Sequence, residues 1–336
     1  FFKHKKLYKW IEKKIFIKIF DINRFQKKLN FNIQNVKAIF APNIHFSKLP
    51  IFFKKYNPNL SIIRFPESAM ISSTNKQNPK IKYDSLFRDV VGDLFLFSSK
   101  SDKEFFLGND NKKKVYYCGY LRHQKWWTKK FISKKNRNKN FKVLIAVRNP
   151  QKNYLSKSNF VEMINSLMII LSKIKNVKII FKIHPQDKSI KILNNILLKY
   201  NKNIWMYKKN HMMKLSSDSN MCITIITSAC LDALAVGIPT LEYYKIKSEL
   251  KKSSNLTNCV HMAYSSKTKK WHTIFNIKKL VNTVDSFEEL ENNINLIYKK
   301  KYQKINNFNQ KNFKKLISSN INLSQKVLNH IENNFF

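Results

Sequence analysis

The stretch from Val177 to Tyr243 constrains this chain more than any other. It opens with Val177-Lys178-Ile179-Ile180-Phe181-Lys182-Ile183, an apolar, β-branched run of strand length. His184-Pro185 stops that run, because proline has no N–H to give to a sheet. A second strand is expected over Met221-Cys222-Ile223-Thr224-Ile225-Ile226, closing on Thr227-Ser228. Ser228 stands where an N-cap belongs, ahead of a helix expected from Ala229 to Val236. Gly237 suits the left-handed residue that closes such a helix, and Pro239 follows closely.

In a parallel α/β sheet the carboxyl ends of the strands share one crevice, where ligands bind. His184 is expected at one strand end and Thr227-Ser228 at another. The N-terminus of the helix after Ser228 offers N–H groups and a positive dipole end to a phosphate. This set of residues resembles the donor-binding domain of two-domain, GT-B type glycosyltransferases. The residues that carry the likeness are His184-Pro185, Thr227 to Leu234 and Gly237-Ile238-Pro239. Within that family the chain looks most like the bacterial enzymes that build capsule, teichoic acid and other surface polymers. The likeness covers the second half of the chain well and the first half weakly. Non-hydrolysing sugar-nucleotide epimerases share much of the same domain, so they stay open as an alternative. The resemblance implies two Rossmann-like domains around a crevice and a nucleotide-sugar donor as substrate, with no resident cofactor or metal. It also implies that His184, Thr227 and Ser228 hold the donor's phosphates.

The 336 residues suffice for two domains, and a hydrophobic fraction of 43% can build real cores. Lys plus Arg is 64 against 20 for Asp plus Glu, a formal charge of +44. Such an excess favours anionic partners: phosphorylated substrate, anionic lipid or nucleic acid. The excess is mostly Lys, in a chain also rich in Asn, Ile and Phe with Gly at only 4, so part of it reads as codon bias. Nothing resembles a helix-turn-helix, a zinc finger or an RNP-type aromatic strand, which disfavours a nucleic-acid-binding protein. Four cysteines (118, 222, 230 and 259) show no CxxC spacing, which fits a reduced, cytoplasmic setting. No apolar run approaches the ~20 residues that span a bilayer. The chain opens on Phe1 rather than methionine, which leaves room for a preceding piece bearing a first strand. Leu7 to Phe20 reads as a helix with Trp10 on its apolar side and lysines around the rest. Such a helix can lie on an anionic membrane surface or simply solvate its lysines.

Short strands are expected at Val36–Phe40, Leu60–Phe65, Asp93–Phe97 and Val115–Cys118, in the βαβ rhythm of a doubly wound sheet. The charged, aperiodic run Lys134 to Asn140 marks a boundary, giving an acceptor-side domain over 1–138. A donor domain over 139–300 begins with the buried strand Phe141–Val147, and a lysine-rich helical tail follows over 301–336. Helices are expected from about Asn159 to Ile174 and, behind a Ser286/Glu289 capping box, to about Tyr298.

An inverting transferase needs a base for the acceptor hydroxyl. Glu67, just past the strand ending at Phe65, is the candidate, with Ser68 where related enzymes carry a second acid. Arg148 follows the first strand of the donor domain and points a guanidinium at the expected diphosphate site. Asp232 and Glu242 are candidates for the nucleotide's ribose, although Asp232 also reads as a solvated helix residue. Asp93 reads as a turn cap, and His45 and His123 as surface polar groups. The expected function is transfer of a sugar or related group from a CMP-, CDP- or UDP-linked donor. The expected acceptor is a polysaccharide or lipid-linked group near the inner membrane.

Overall fold

A computed structural model of the chain describes residues 32–42, 48–66, 71, 73, 91–107, 113–132, 140–148, 150, 155–183, 190–246, 261–317 and 323–335. The expected helix at Leu7–Phe20, together with His45, Glu67, Ser68, His184-Pro185 and Cys259, lies outside them. So does the expected boundary run from Lys134 to Lys139.

The first half forms a four-stranded parallel sheet in the order β1-β2-β3-β4. These are β1 (Ala38–Pro42), β2 (Ser61–Phe65), β3 (Leu94–Phe97) and β4 (Val115–Tyr117). The helix α1 (Lys48–Tyr56) follows β1, and α2 (Lys100–Leu107) follows β3. β1 starts two residues later than its apolar run suggests. A short 3-10 turn over Ile33–Asn35, capped by Asn32, holds the Val36 N–H on the Ile33 carbonyl. Asp93 does more than cap a turn: it accepts the Ile62 N–H at 2.7 Å and pairs with Lys54 at 2.6 Å. β3 is buried along its length, and Phe97 stacks between Phe95 and Phe106. Arg64 is fully buried in β2, and its Nε donates to the Val91 carbonyl. Gly92 makes room for it, since a Cβ there would come within 2.9 Å of Arg64 Cγ and of the Phe95 ring.

After the short helix α3 (Lys125–Thr128) comes a six-stranded, all-parallel sheet. Its strands are β5 (Phe141–Val147), β6 (Val177–Ile183), β7 (Trp205–Tyr207), β8 (Met221–Thr224), β9 (Thr240–Tyr243) and β12 (Asn282–Val284). The hairpin of β10 (Met262–Ser265) and β11 (Lys270–Thr273) stands apart. The order β7-β6-β5-β8-β9-β12 runs out to one edge and then restarts beside β5, which is the doubly wound Rossmann order. The strand order therefore reverses between β5 and β8.

Helices cover both faces. On one, α4 (Lys157–Ser172) buries Phe160, Met163, Ile164, Leu167 and Leu171 against Val143, Ile145 and Val147. Each such side chain contributes roughly 1.5–3 kcal/mol. Ser156 starts α4 by accepting the Asn159 N–H. On the other face, α6 (Met212–Ser217) and α7 (Ala229–Ala235) cover Leu144, Ala146, Ile180 and Cys222. The helix α5 (Ile190–Leu197) follows β6, and the four-residue α8 (Ile274–Ile277) follows β11. The capping box at Ser286 opens α9 (Phe287–Tyr298): its hydroxyl accepts the Glu289 N–H at 3.1 Å. Glu289 returns its bond to the Asp285 N–H rather than to that of Ser286.

The final stretch, expected as one helix, is two. α10 (Gln303–Ile317) seats Phe313 against Leu231 and Leu234 of the second sheet's helices. α11 (Leu323–Phe335) crosses back, placing Val327 and Ile331 against Ile63, Leu94 and Leu96 of the first sheet. Two α/β units thus share one carboxy-terminal strap. Among the described residues, no helix is long and apolar enough to cross a membrane.

Candidate active site

β5, β6 and β8 reach the same edge of the second sheet: Val147 pairs with Ile183, and Ala146 with Thr224. That edge, at the reversal between β5 and β8, is where a doubly wound sheet opens a ligand crevice. Arg148 is the first residue past β5. Its Nη1 donates to the Ile226 carbonyl at 2.5 Å, bridging the reversal. Ile226 is itself unusual, with φ at +40°, a left-handed conformation that a β-branched residue adopts only under strain. The β8 strand, expected to run to Ile226, therefore ends at Thr224, and the chain swings through Ile225-Ile226 into Thr227-Ser228.

The capping of α7 differs from the expectation. Ser228 holds the N-cap position but has helical dihedrals, and its hydroxyl caps nothing. An N-cap side chain reaches the N2 or N3 N–H only from an extended backbone, so an αR residue there cannot cap. The Thr227 hydroxyl accepts the Ala229 N–H instead, at 3.4 Å. The Ser228 Oγ therefore stays uncommitted to the helix, two residues past the strained Ile226. The other end matches: Gly237 has φ of +80°, Gly237 N–H bonds the Leu234 carbonyl and Ile238 N–H bonds the Ala233 carbonyl. Those two bonds make a Schellman motif.

Asp232, one turn into α7, is only 6% exposed, not solvated. Arg122 clasps it bidentately, Nη2 to Oδ2 at 2.6 Å and Nε to Oδ1 at 3.0 Å. His123 Nε2 donates to Oδ1 at 2.9 Å, and the His123 side chain is buried rather than a surface group. Burial alone would raise the Asp232 carboxyl, but the His123 hydrogen bond and the Arg122 charge outweigh it and hold the carboxyl low. Both oxygens are engaged by these partners. Asp232 instead fastens the segment that follows β4 to α7. His211 caps α6 through Nδ1, stacks on Phe131 at 4.3 Å and faces Arg122 at 3.4 Å. Burial, then the Arg122 charge, push its pKa down against the pull of Asp232.

Glu242 is fully buried on β9. Its Oε2 accepts hydroxyls from Thr273 at 2.5 Å and Thr283 at 2.7 Å, while Oε1 has no partner among the described residues. Burial pushes this carboxyl up to about 7 against those two hydrogen bonds.

One residue was not anticipated from the sequence. His261, just before β10, is buried, and its Nδ1 lies 3.2 Å from the Ile71 carbonyl. A carbonyl only accepts, so Nδ1 carries the hydrogen and Nε2 keeps its lone pair. Ser73 adds a second tie, its hydroxyl donating to the Met262 carbonyl at 2.7 Å. The stretch after β2 is thus fastened to the second half of the chain next to Arg148, whose charge acts on His261. Burial, then that charge, lower His261 to about 3, so it is neutral at any ordinary pH. Among the described residues, no group of His, Cys, Asp and Glu is arranged to hold a metal ion.

Two Rossmann-like units, with an arginine across the strand-order reversal of the second, define a GT-B type fold. No family model and no curated protein matches the sequence. Solved structures do match in fold. A 2-epimerase acting on UDP-N-acetylglucosamine (described as putative) from Listeria monocytogenes aligns with TM-score 0.56 at 10% identity, covering 94% of this chain and 77% of that one. The wall teichoic acid polymerase TagF aligns with TM-score 0.55 at 12% identity, over 89% and 73%. A trehalose-6-phosphate synthase aligns with TM-score 0.53 at 12% identity, over 92% and 76%. At such identities the likeness establishes the fold, and chemistry has to be argued from the residues.

Proposed function

We propose that this chain is a glycosyltransferase that moves a sugar or related group from a nucleotide donor to a surface-polysaccharide or lipid-linked acceptor. The observation that carries this reading is Arg148 spanning the β5–β8 reversal at the turn that leads to Ser228, whose hydroxyl does not cap its helix. A guanidinium and a hydroxyl at a switch point suit a diphosphate. Support also comes from the company of the fold: TagF has been soaked with CDPG, and a pneumococcal O-GlcNAc transferase of TM-score 0.52 is bound to UDP and GlcNAc.

In this proposal Arg148, Thr227, Ser228 and His184 hold the donor phosphates. The acceptor oxygen attacks the anomeric carbon and the bond from that carbon to the phosphate oxygen breaks. The nucleotide leaves with the electron pair, and Glu67 takes the hydroxyl proton. The positive charge of Arg148 serves the leaving group without a resident metal. The acceptor places the enzyme at the inner face of a membrane, held as a peripheral protein.

The test incubates the enzyme with CMP-, CDP- and UDP-linked sugars, with and without polymer acceptor, beside a thermal-shift screen of the free nucleotides. Acceptor-dependent nucleotide release together with a raised melting temperature is expected. Conversion of the donor without acceptor would favour the epimerase reading, which the Listeria fold match keeps in play. No shift with any nucleotide would overturn both.

A further inference from the structure

We propose that the segment Lys125–Ile132 is a docking face for an anionic lipid bilayer, an inference that rests on the membrane-side acceptor proposed above. The segment places Trp126 and Ile132 in solvent, 52% and 54% exposed, beside the exposed Lys125, Lys129 and Lys130. Large apolar side chains ringed by lysines are costly to leave in water, and they suit the headgroup boundary of a charged bilayer.

The face is built rigidly. Trp126 meets Trp127 edge-on at 5.6 Å, Trp127 meets Phe131 at 5.4 Å, and Phe131 stacks on His211. That aromatic row roots the exposed end in the second sheet. His211 follows β7, and Arg122, just before the segment, pairs with Asp232 of α7. The segment therefore runs along the carboxyl edge of the sheet, where the switch point opens. A bilayer seated on it would meet the crevice mouth, where a lipid-linked acceptor has to enter.

A polysaccharide is the other occupant that tryptophans suit, and two features argue against it. The Lys130 ammonium lies over both indole rings, 5.2 and 5.0 Å from their centroids, on faces that a sugar ring would need. Ile132, the most exposed apolar side chain of the segment, offers a saccharide neither stacking nor hydrogen bonds.

The experiment is co-sedimentation of the full chain with phosphatidylcholine vesicles, alone or containing phosphatidylglycerol, at low and physiological salt. The variants are Trp126→Ser/Ile132→Ser and Lys125→Glu/Lys129→Glu, with a soluble polyanionic polysaccharide as competitor. Wild-type protein is expected on the anionic vesicles only, more weakly in salt. Each double variant should lose roughly tenfold in partition while keeping its melting temperature and nucleotide-induced shift. Equal binding of wild type and variants would overturn the proposal, because the rest of the positive chain would then carry the attraction. So would binding to neutral vesicles alike, no vesicle binding at all, or binding to the polysaccharide alone. Loss of the nucleotide shift in wild type would instead sink the donor reading, separately from these outcomes.

Discussion

His261 and Glu242 are both buried in the second half of the chain, and burial drives each toward its uncharged form, with opposite consequences for pH. His261 titrates near 3 in the folded protein against about 6.5 unfolded, so the unfolded chain binds the extra proton between those values. Stability is then fully present above pH 6.5 and falls as pH drops toward 3, by up to about 1.4 kcal/mol per pH unit. Glu242 titrates near 7 folded against 4.5 unfolded, so its contribution is fully present below 4.5 and falls as pH rises through 7. Urea unfolding across pH should show a flatter acid limb in His261→Asn and a flatter limb between 4.5 and 7 in Glu242→Gln. Curves parallel to wild type would show that these groups are not held as described. Neither environment was legible in the sequence. The Ile71 partner of His261 lies 190 residues away, and the short apolar run around His261 shows nothing of that partner. The tie between Arg122, His123 and Asp232 was hidden for the same reason. A helix aspartate reads as solvated until the fold brings an arginine to it from 110 residues away.

At the scale of the element, what the sequence showed best was what neighbours along the chain decide. Phe141–Val147 and Val177–Ile183 are strands because buried parallel strands need no polar alternation, so a continuous apolar run suffices. Ser286 and Gly237 act locally, and both do what their positions imply. The turn between β8 and α7 escaped because it depends on a strained Ile226 whose carbonyl Arg148 takes up from another strand. That turn predicts a contrast. Thr227→Val should cost about 1 kcal/mol by removing the hydroxyl that caps α7. Ser228→Ala should leave stability within about 0.5 kcal/mol, as for a side chain that does not cap its helix, and lower only donor affinity. Denaturant midpoints and nucleotide titrations on the two variants separate these effects. Equal destabilisation by both would return Ser228 to the role of an ordinary cap.

The whole molecule sets two sheets of one polarity side by side and ties them with contacts distant in sequence. These are Arg122 to Asp232, Ile71 to His261, Ser73 to β10, and α11 back onto the first sheet. Doubly wound order was foreseeable from the alternation of strands and helices, whereas the pairing of halves was not, because no local signal specifies it. The pairing brings Ile71 and Ser73 to His261 and Met262, and the charge of Arg148 at the switch point acts on that same His261. The central claim is that Arg148 holds the phosphates of a nucleotide donor there. The direct measurement is a calorimetric titration with the nucleoside diphosphate that most stabilises the wild-type protein, repeated on Arg148→Gln. A charged hydrogen bond contributes about 1.5–3 kcal/mol, so the variant should bind roughly 10- to 100-fold more weakly, with a melting temperature lowered by loss of the bond to the Ile226 carbonyl. Wild-type affinity in Arg148→Gln would contradict the account, because a donor would then sit somewhere other than the β5–β8 reversal.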